Sequence, residues 1–116
     1  MRVKQLFNHN GNAWANQFVI QFEKWNITIF QSYNSLVALV DRDEKHITLG
    51  DDWDYSRTTL KAVGKYLKDY ASITADTAGL RKALKSGTIT DLWGNTWTVA
   101  NGCNSYFEDF LTEGGR

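Results

Sequence analysis

The 116-residue sequence predicts a single α+β domain. Its expected parts are an antiparallel β meander, two helices, a β-hairpin and a short C-terminal helix. Three observations support this reading. Apolar side chains alternate with a period of two through residues 17–30. The spacing changes to three and four residues between Leu60 and Tyr70. Strand-like runs return after Gly87.

Val3 to Phe7 reads as a first short strand, and the Asn-rich stretch Asn8 to Asn16 as a loop. Phe18, Ile20 and Phe22 alternate with Gln17, Val19, Gln21 and Glu23. Trp25, Ile27 and Ile29 alternate with Asn26, Thr28 and Phe30. Successive strand side chains point to opposite faces, so this is a hairpin with one buried face, turning at the charged pair Glu23-Lys24. Val19 and Phe30 then fall on the outer face, either under a second layer or on a contact surface. Ser35 to Val40 is a short buried strand. Arg42-Asp43-Glu44-Lys45 is a polar turn, and His46 to Leu49 is the returning strand, stopped by Gly50.

Leu60, Val63, Leu67 and Tyr70 form the apolar stripe of a helix, with Ser56 as its N-cap. Asp76 to Ser86 is a second helix. Asp76 caps it, Leu80, Ala83 and Leu84 face inward, and Gly87 ends it. Thr88 to Trp93 and Thr96 to Ala100 form a hairpin joined at Gly94-Asn95. Tyr106, Phe107, Phe110 and Leu111 suggest the closing helix.

Composition excludes several classes. With 42% hydrophobic and 22% charged residues, the chain is an ordinary folded domain rather than a disordered one. No run reaches the length of a membrane span, and Met1 to Gln5 lacks the apolar stretch of a signal peptide. The expected location is the cytoplasm. A single cysteine, Cys103, excludes an internal disulfide and a multi-cysteine zinc site.

Reactive clusters are hard to find. Cys103 has no neighbouring histidine, and His9 and His46 lie in separate segments. Asp51, Asp52 and Asp54 are spaced to hold a hard cation, yet a calcium loop's glycine and distal glutamate are missing. The structural alternative is an acidic turn entering a helix. The glycines at 50, 64, 79, 87, 94 and 102 are isolated, so no phosphate-cradling fingerprint occurs. The expectation is a non-enzymatic protein with no cofactor and no metal.

Charge is more informative. The net charge is zero, but residues 57–85 carry seven basic and two acidic side chains between two acidic flanks. Arg57, Lys61, Lys65 and Lys68 step by four, four and three along one helix face, opposite Leu60, Val63 and Leu67. Arg81, Lys82 and Lys85 add to them. This face is the candidate partner-binding site, against the plainer reading of a solvated helix surface. The exposed-aromatic candidates are Trp14, Trp93 and Trp97. In the first hairpin, Phe18, Phe22, Trp25 and Phe30 are candidates for stacking on bases, although aromatics with strand periodicity are more often core.

Two segments carry a resemblance. Phe30-Gln31-Ser32-Tyr33-Asn34-Ser35-Leu36-Val37-Ala38 is followed by Leu49-Gly50-Asp51-Asp52-Trp53-Asp54-Tyr55-Ser56-Arg57-Thr58-Thr59. Together they resemble a family of small proteins encoded by bacteriophages and other mobile elements, with an "LGxDWDYSRTT" signature. The resemblance spans residues 17–70, a β meander plus helix; residues 71–116, with the second helix, hairpin and terminal helix, have no counterpart in it. It implies a phage or mobile-element origin and action by binding in a bacterial host. That includes an anti-CRISPR or other anti-defence role against a host protein such as a defence nuclease complex.

Trp53, Asp54, Tyr55 and Ser56 also have a physical reading. Trp53 and Tyr55 straddle Asp54, so in an extended segment both cover the helix start. Asp54 is placed to pair with Arg57, and Ser56 to cap. The expected function is therefore binding and inhibition of a host factor. The alternative is nucleic-acid binding by the basic face and exposed aromatics. The aromatic-rich strands have no proline to guard their edges, which leaves homodimerisation open.

Overall fold

In the computed structural model, which describes residues 2–102, the alternating segments form five consecutive antiparallel strands. These are β1 (Arg2–Phe7), β2 (Ala13–Phe22), β3 (Ile27–Ser32), β4 (Ser35–Asp41) and β5 (His46–Leu49). Two helices follow, α1 (Arg57–Ala71) and α2 (Thr77–Ser86), then β6 (Thr88–Thr90) and β7 (Thr96–Ala100). The expected α+β class is what the chain adopts. The expected terminal helix and Cys103 lie outside the described residues.

Among the described residues all strands join one seven-stranded sheet in the order β1-β2-β3-β4-β5-β7-β6. The final hairpin attaches by its second strand, β7, which runs parallel to β5 with Ile47 opposite Val99. The helices form the crossover between them. β2 begins at Ala13, inside the stretch read as a loop. β6 ends at Thr90, before the residues read as its continuation. The first hairpin turns at Glu23–Trp25, so Trp25 lies in a one-turn 3₁₀ segment rather than in a strand.

The hairpin does not have one buried face. Val19 pairs with Phe30, Phe30 with Ala38, and Ala38 with Leu49. This face lies beneath the helices, and Val19 and Phe30 are fully buried. Of the two expected alternatives for Val19 and Phe30, the second layer is correct. Tyr66 of α1 stacks on Phe30 with ring centroids 5.4 Å apart. Its hydroxyl donates to the Thr28 carbonyl at 2.9 Å and lies 2.7 Å from the Thr28 hydroxyl. The opposite face buries Phe22, Ile27, Ile29 and Leu39 as a second, smaller cluster, with Ile20, Trp25 and Leu36 at its margin. Strands buried on both sides lose the in–out contrast that a sheet with one solvated face shows.

Candidate functional site

The helical layer is built by local signals. Ser56 is extended (φ −144°), and its hydroxyl accepts from Thr59 N at 3.1 Å. Asp76 Oδ1 accepts from Gly79 N at 2.6 Å, and Gly87 ends α2 in the left-handed region (φ +92°). These are the caps expected from the sequence; Ser56 and Asp76 each satisfy a backbone donor that the helix start leaves free. Leu60, Val63 and Leu67 of α1 and Leu80 and Leu84 of α2 are buried in one core with the sheet.

Gly64 sets how close the helices come. A Cβ at that position would lie 3.3 Å from Leu80 Cδ2. The missing side chain lets α2 lie directly beside α1. Arg57, Lys61 and Lys68 on α1 are exposed, as are Arg81, Lys82 and Lys85 on α2. Six of the seven candidate cations are therefore exposed on the two helices. Lys65 departs from the expected set. It is half-buried, and its Nζ is 2.6 Å from Asp69 Oδ2, one turn further on. That ion pair neutralises it as a free contact.

The hairpin turn lies against the far end of α1. Leu92 N donates to the Ser72 carbonyl at 2.8 Å, at the C-cap of the helix. Asp91 organises this turn. Its carboxylate accepts from Trp93 N (2.9 Å), Asn95 N (3.0 Å) and the Trp97 indole Nε1 (2.9 Å). The Trp97 hydrogen bond, aided by the backbone donors of Asn95 and Trp93, holds the Asp91 carboxyl down at about 2. Burial opposes that shift but is outweighed. Trp97 is buried with Lys45 Nζ 5.4 Å from its ring centroid, whereas Trp93 is 80% exposed. Trp14 is half-buried against the core. Of the three tryptophans considered as surface anchors, Trp93 has the exposure that role needs.

The signature segment is arranged differently from expectation. Residues 51–56 form turns rather than an extended run, so Trp53 and Tyr55 point apart. Trp53 is buried in the core (5% exposed), and Tyr55 is 82% exposed. Among the described residues no ion pair joins Asp54 to Arg57. No group of three His, Cys, Asp or Glu side chains gathers to hold a metal ion among the described residues. His46 Nδ1 lies 2.6 Å from the Thr98 hydroxyl across the β5–β7 pair.

The two segments that carry the resemblance meet around a cavity of about 450 Å³. Ser32, Tyr33 and Ser35 line one side of it. Asp52, Tyr55, Ser56, Thr58 and Thr59 line the other. Gln17, read in the sequence only as a polar strand position, also lines it. Neither segment alone points to this juxtaposition, because it depends on how α1 starts above the β2–β3–β4 end of the sheet.

Fold and surface together define a one-sheet α+β protein with a basic two-helix layer. The chain belongs to a family of unknown function (DUF8033), whose sequence model matches residues 1–83. That range holds the whole meander, α1, all the cavity-lining residues and the cations Arg81 and Lys82. Comparison with curated proteins and with solved structures found no match. No helix among the described residues is long and apolar enough to cross a membrane.

Proposed function

We propose that the protein is a non-enzymatic accessory protein of phage or mobile-element origin. In this reading it docks the basic outer surface of α1 and α2 on an acidic surface of a host protein in the bacterial cytoplasm. It thereby inhibits or modulates that protein, as an anti-CRISPR or other anti-defence inhibitor does. One observation supports the docking face above others: Arg57, Lys61, Lys68, Arg81, Lys82 and Lys85 are exposed on two helices held side by side at Gly64. Opposite charge across an interface raises the encounter rate and selects partners. A defence nuclease complex is a partner of this kind.

Trp93 gives specific support to a second reading. Its exposed ring sits in the turn bonded to the C-cap of α1, the helix that carries Arg57, Lys61 and Lys68. Exposed cations together with an exposed aromatic suit a nucleic-acid strand. One set of measurements separates the two. The tagged chain is expected to retain an acidic host protein, and the triple variant Lys61→Glu, Arg81→Glu, Lys85→Glu is expected to lose it. Single- and double-stranded DNA are expected not to bind at about 50 mM salt. DNA binding that falls steeply by about 200 mM salt and is lost in the triple variant supports the second reading instead. Turnover of a substrate would exclude both.

A further inference from the structure

We propose that the cavity between the β2–β3–β4 end of the sheet and the start of α1 binds a neutral saccharide. Its volume, about 450 Å³, falls within the range of small-molecule sites. The first support is a buried acceptor without a donor. Gln17 is 2% exposed and lines the cavity, and its Oε1 has no hydrogen-bond partner among the described residues. Its Nε2 makes only a long 3.5 Å contact with the Ala15 carbonyl. Buried polar atoms are almost always paired, so this unpaired amide behind the cavity wall gains a partner when its side chain turns toward a bound molecule.

The remaining lining sets the class of ligand. Asp52 adds a carboxylate, which also accepts and which repels an anion. Ser32 and Ser35 bring hydroxyls that both donate and accept. Tyr33 and Tyr55, 63% and 82% exposed, are cavity-lining rings available to a ligand's apolar faces. A molecule offering donors and acceptors around its rim, apolar C–H faces and no charge matches all of these at once. A sugar ring has those properties. A phosphate-bearing ligand meets Asp52 unfavourably.

The walls are firmly held. Tyr33 N donates to the Asn16 carbonyl at 2.7 Å, and Gln31 Nε2 donates to the Tyr33 carbonyl at 2.7 Å. The Gln5 side chain ties Gln17 in place by donating to its carbonyl at 3.0 Å. A pre-formed site of this kind loses little freedom when a ligand enters. None of the six exposed cations is among the lining residues, and failure of this proposal would leave the docking proposal unaffected.

The test is an NMR titration of the isotope-labelled full chain with glucose, galactose and N-acetylglucosamine, with inorganic phosphate and adenosine as contrasts. At least one sugar is expected to shift the amides of Ser32, Tyr33, Tyr55 and Ser56 in a saturable way. Tyr55→Ala, a surface change that leaves the core intact, is expected to weaken that binding about tenfold. Gln17→Leu is expected to abolish it; where that variant does not fold, Tyr55→Ala still decides. Absence of shifts with every sugar at tens of millimolar overturns the proposal. So do shifts confined to residues outside the cavity, or binding of phosphate or adenosine without a sugar.

Discussion

Tyr33 holds a left-handed backbone (φ +54°) while its ring stands mostly in solvent. A bulky residue in that region costs about 1–2 kcal/mol. Little burial offsets the cost, so Tyr33→Gly is expected to keep the fold or raise stability by up to about 1 kcal/mol in urea unfolding. Tyr66 is the opposite case. Its hydroxyl is fully buried on Thr28, and burial pushes its pKa far above the ordinary range, so it stays a neutral donor. Tyr66→Phe leaves the Thr28 groups short of a partner and is expected to cost about 1–2 kcal/mol by the same measurement. Asp91 makes acid sensitivity local. Its folded pKa, about 2, lies below the ordinary 3.8. The stabilisation is therefore complete above about 4 and is lost as pH falls through about 2. Asp91→Asn is expected to lower the melting temperature at neutral pH and to flatten its fall across that acid window. At this scale the caps Ser56, Asp76 and Gly87 were legible, because each depends on neighbours within three residues. The roles of Gln17 and Tyr33 were not, because they depend on contacts across strands.

At the scale of elements, periodicity located the strands and both helices to within a few residues. It did not reveal which hairpin face meets the helices. Phe18, Ile20 and Phe22 look like the core stripe because they are larger than Gln17, Val19 and Gln21, yet Val19 is the residue under the helical layer. Two buried faces make residue size a poor guide to orientation. Helix faces were easier to read, since Leu60, Val63 and Leu67 point inward and the cations outward as their spacing implied. Lys65 alone left the set, paired with an aspartate one turn on. Gly64 is the contact on which the helical layer depends. Alanine there gains helix propensity but must move the Leu80 methyl by a few tenths of an ångström, so a near-neutral change is expected. Gly64→Val is expected to destabilise by about 1–3 kcal/mol and to weaken partner binding, because it forces α2 away from α1.

For the whole molecule, the deciding feature is the parallel β5–β7 pair. The sequence suggested a terminal hairpin but not its attachment, since pairing between His46 and Thr98 crosses more than fifty residues of chain. The family match ends at residue 83, yet Leu84, Ile89 and Trp97 belong to the main core. A chain ended after Ala83 is therefore expected to lose cooperative unfolding in a thermal melt and to aggregate through the uncovered edge of β5. The same pair orders events during synthesis. The five-stranded meander leaves the ribosome first, and its last strand must wait for roughly fifty more residues before its neighbour emerges. Folding is thus expected to finish only once the C-terminal part of the chain is free, and in the interval the nascent meander is a natural client for a chaperone.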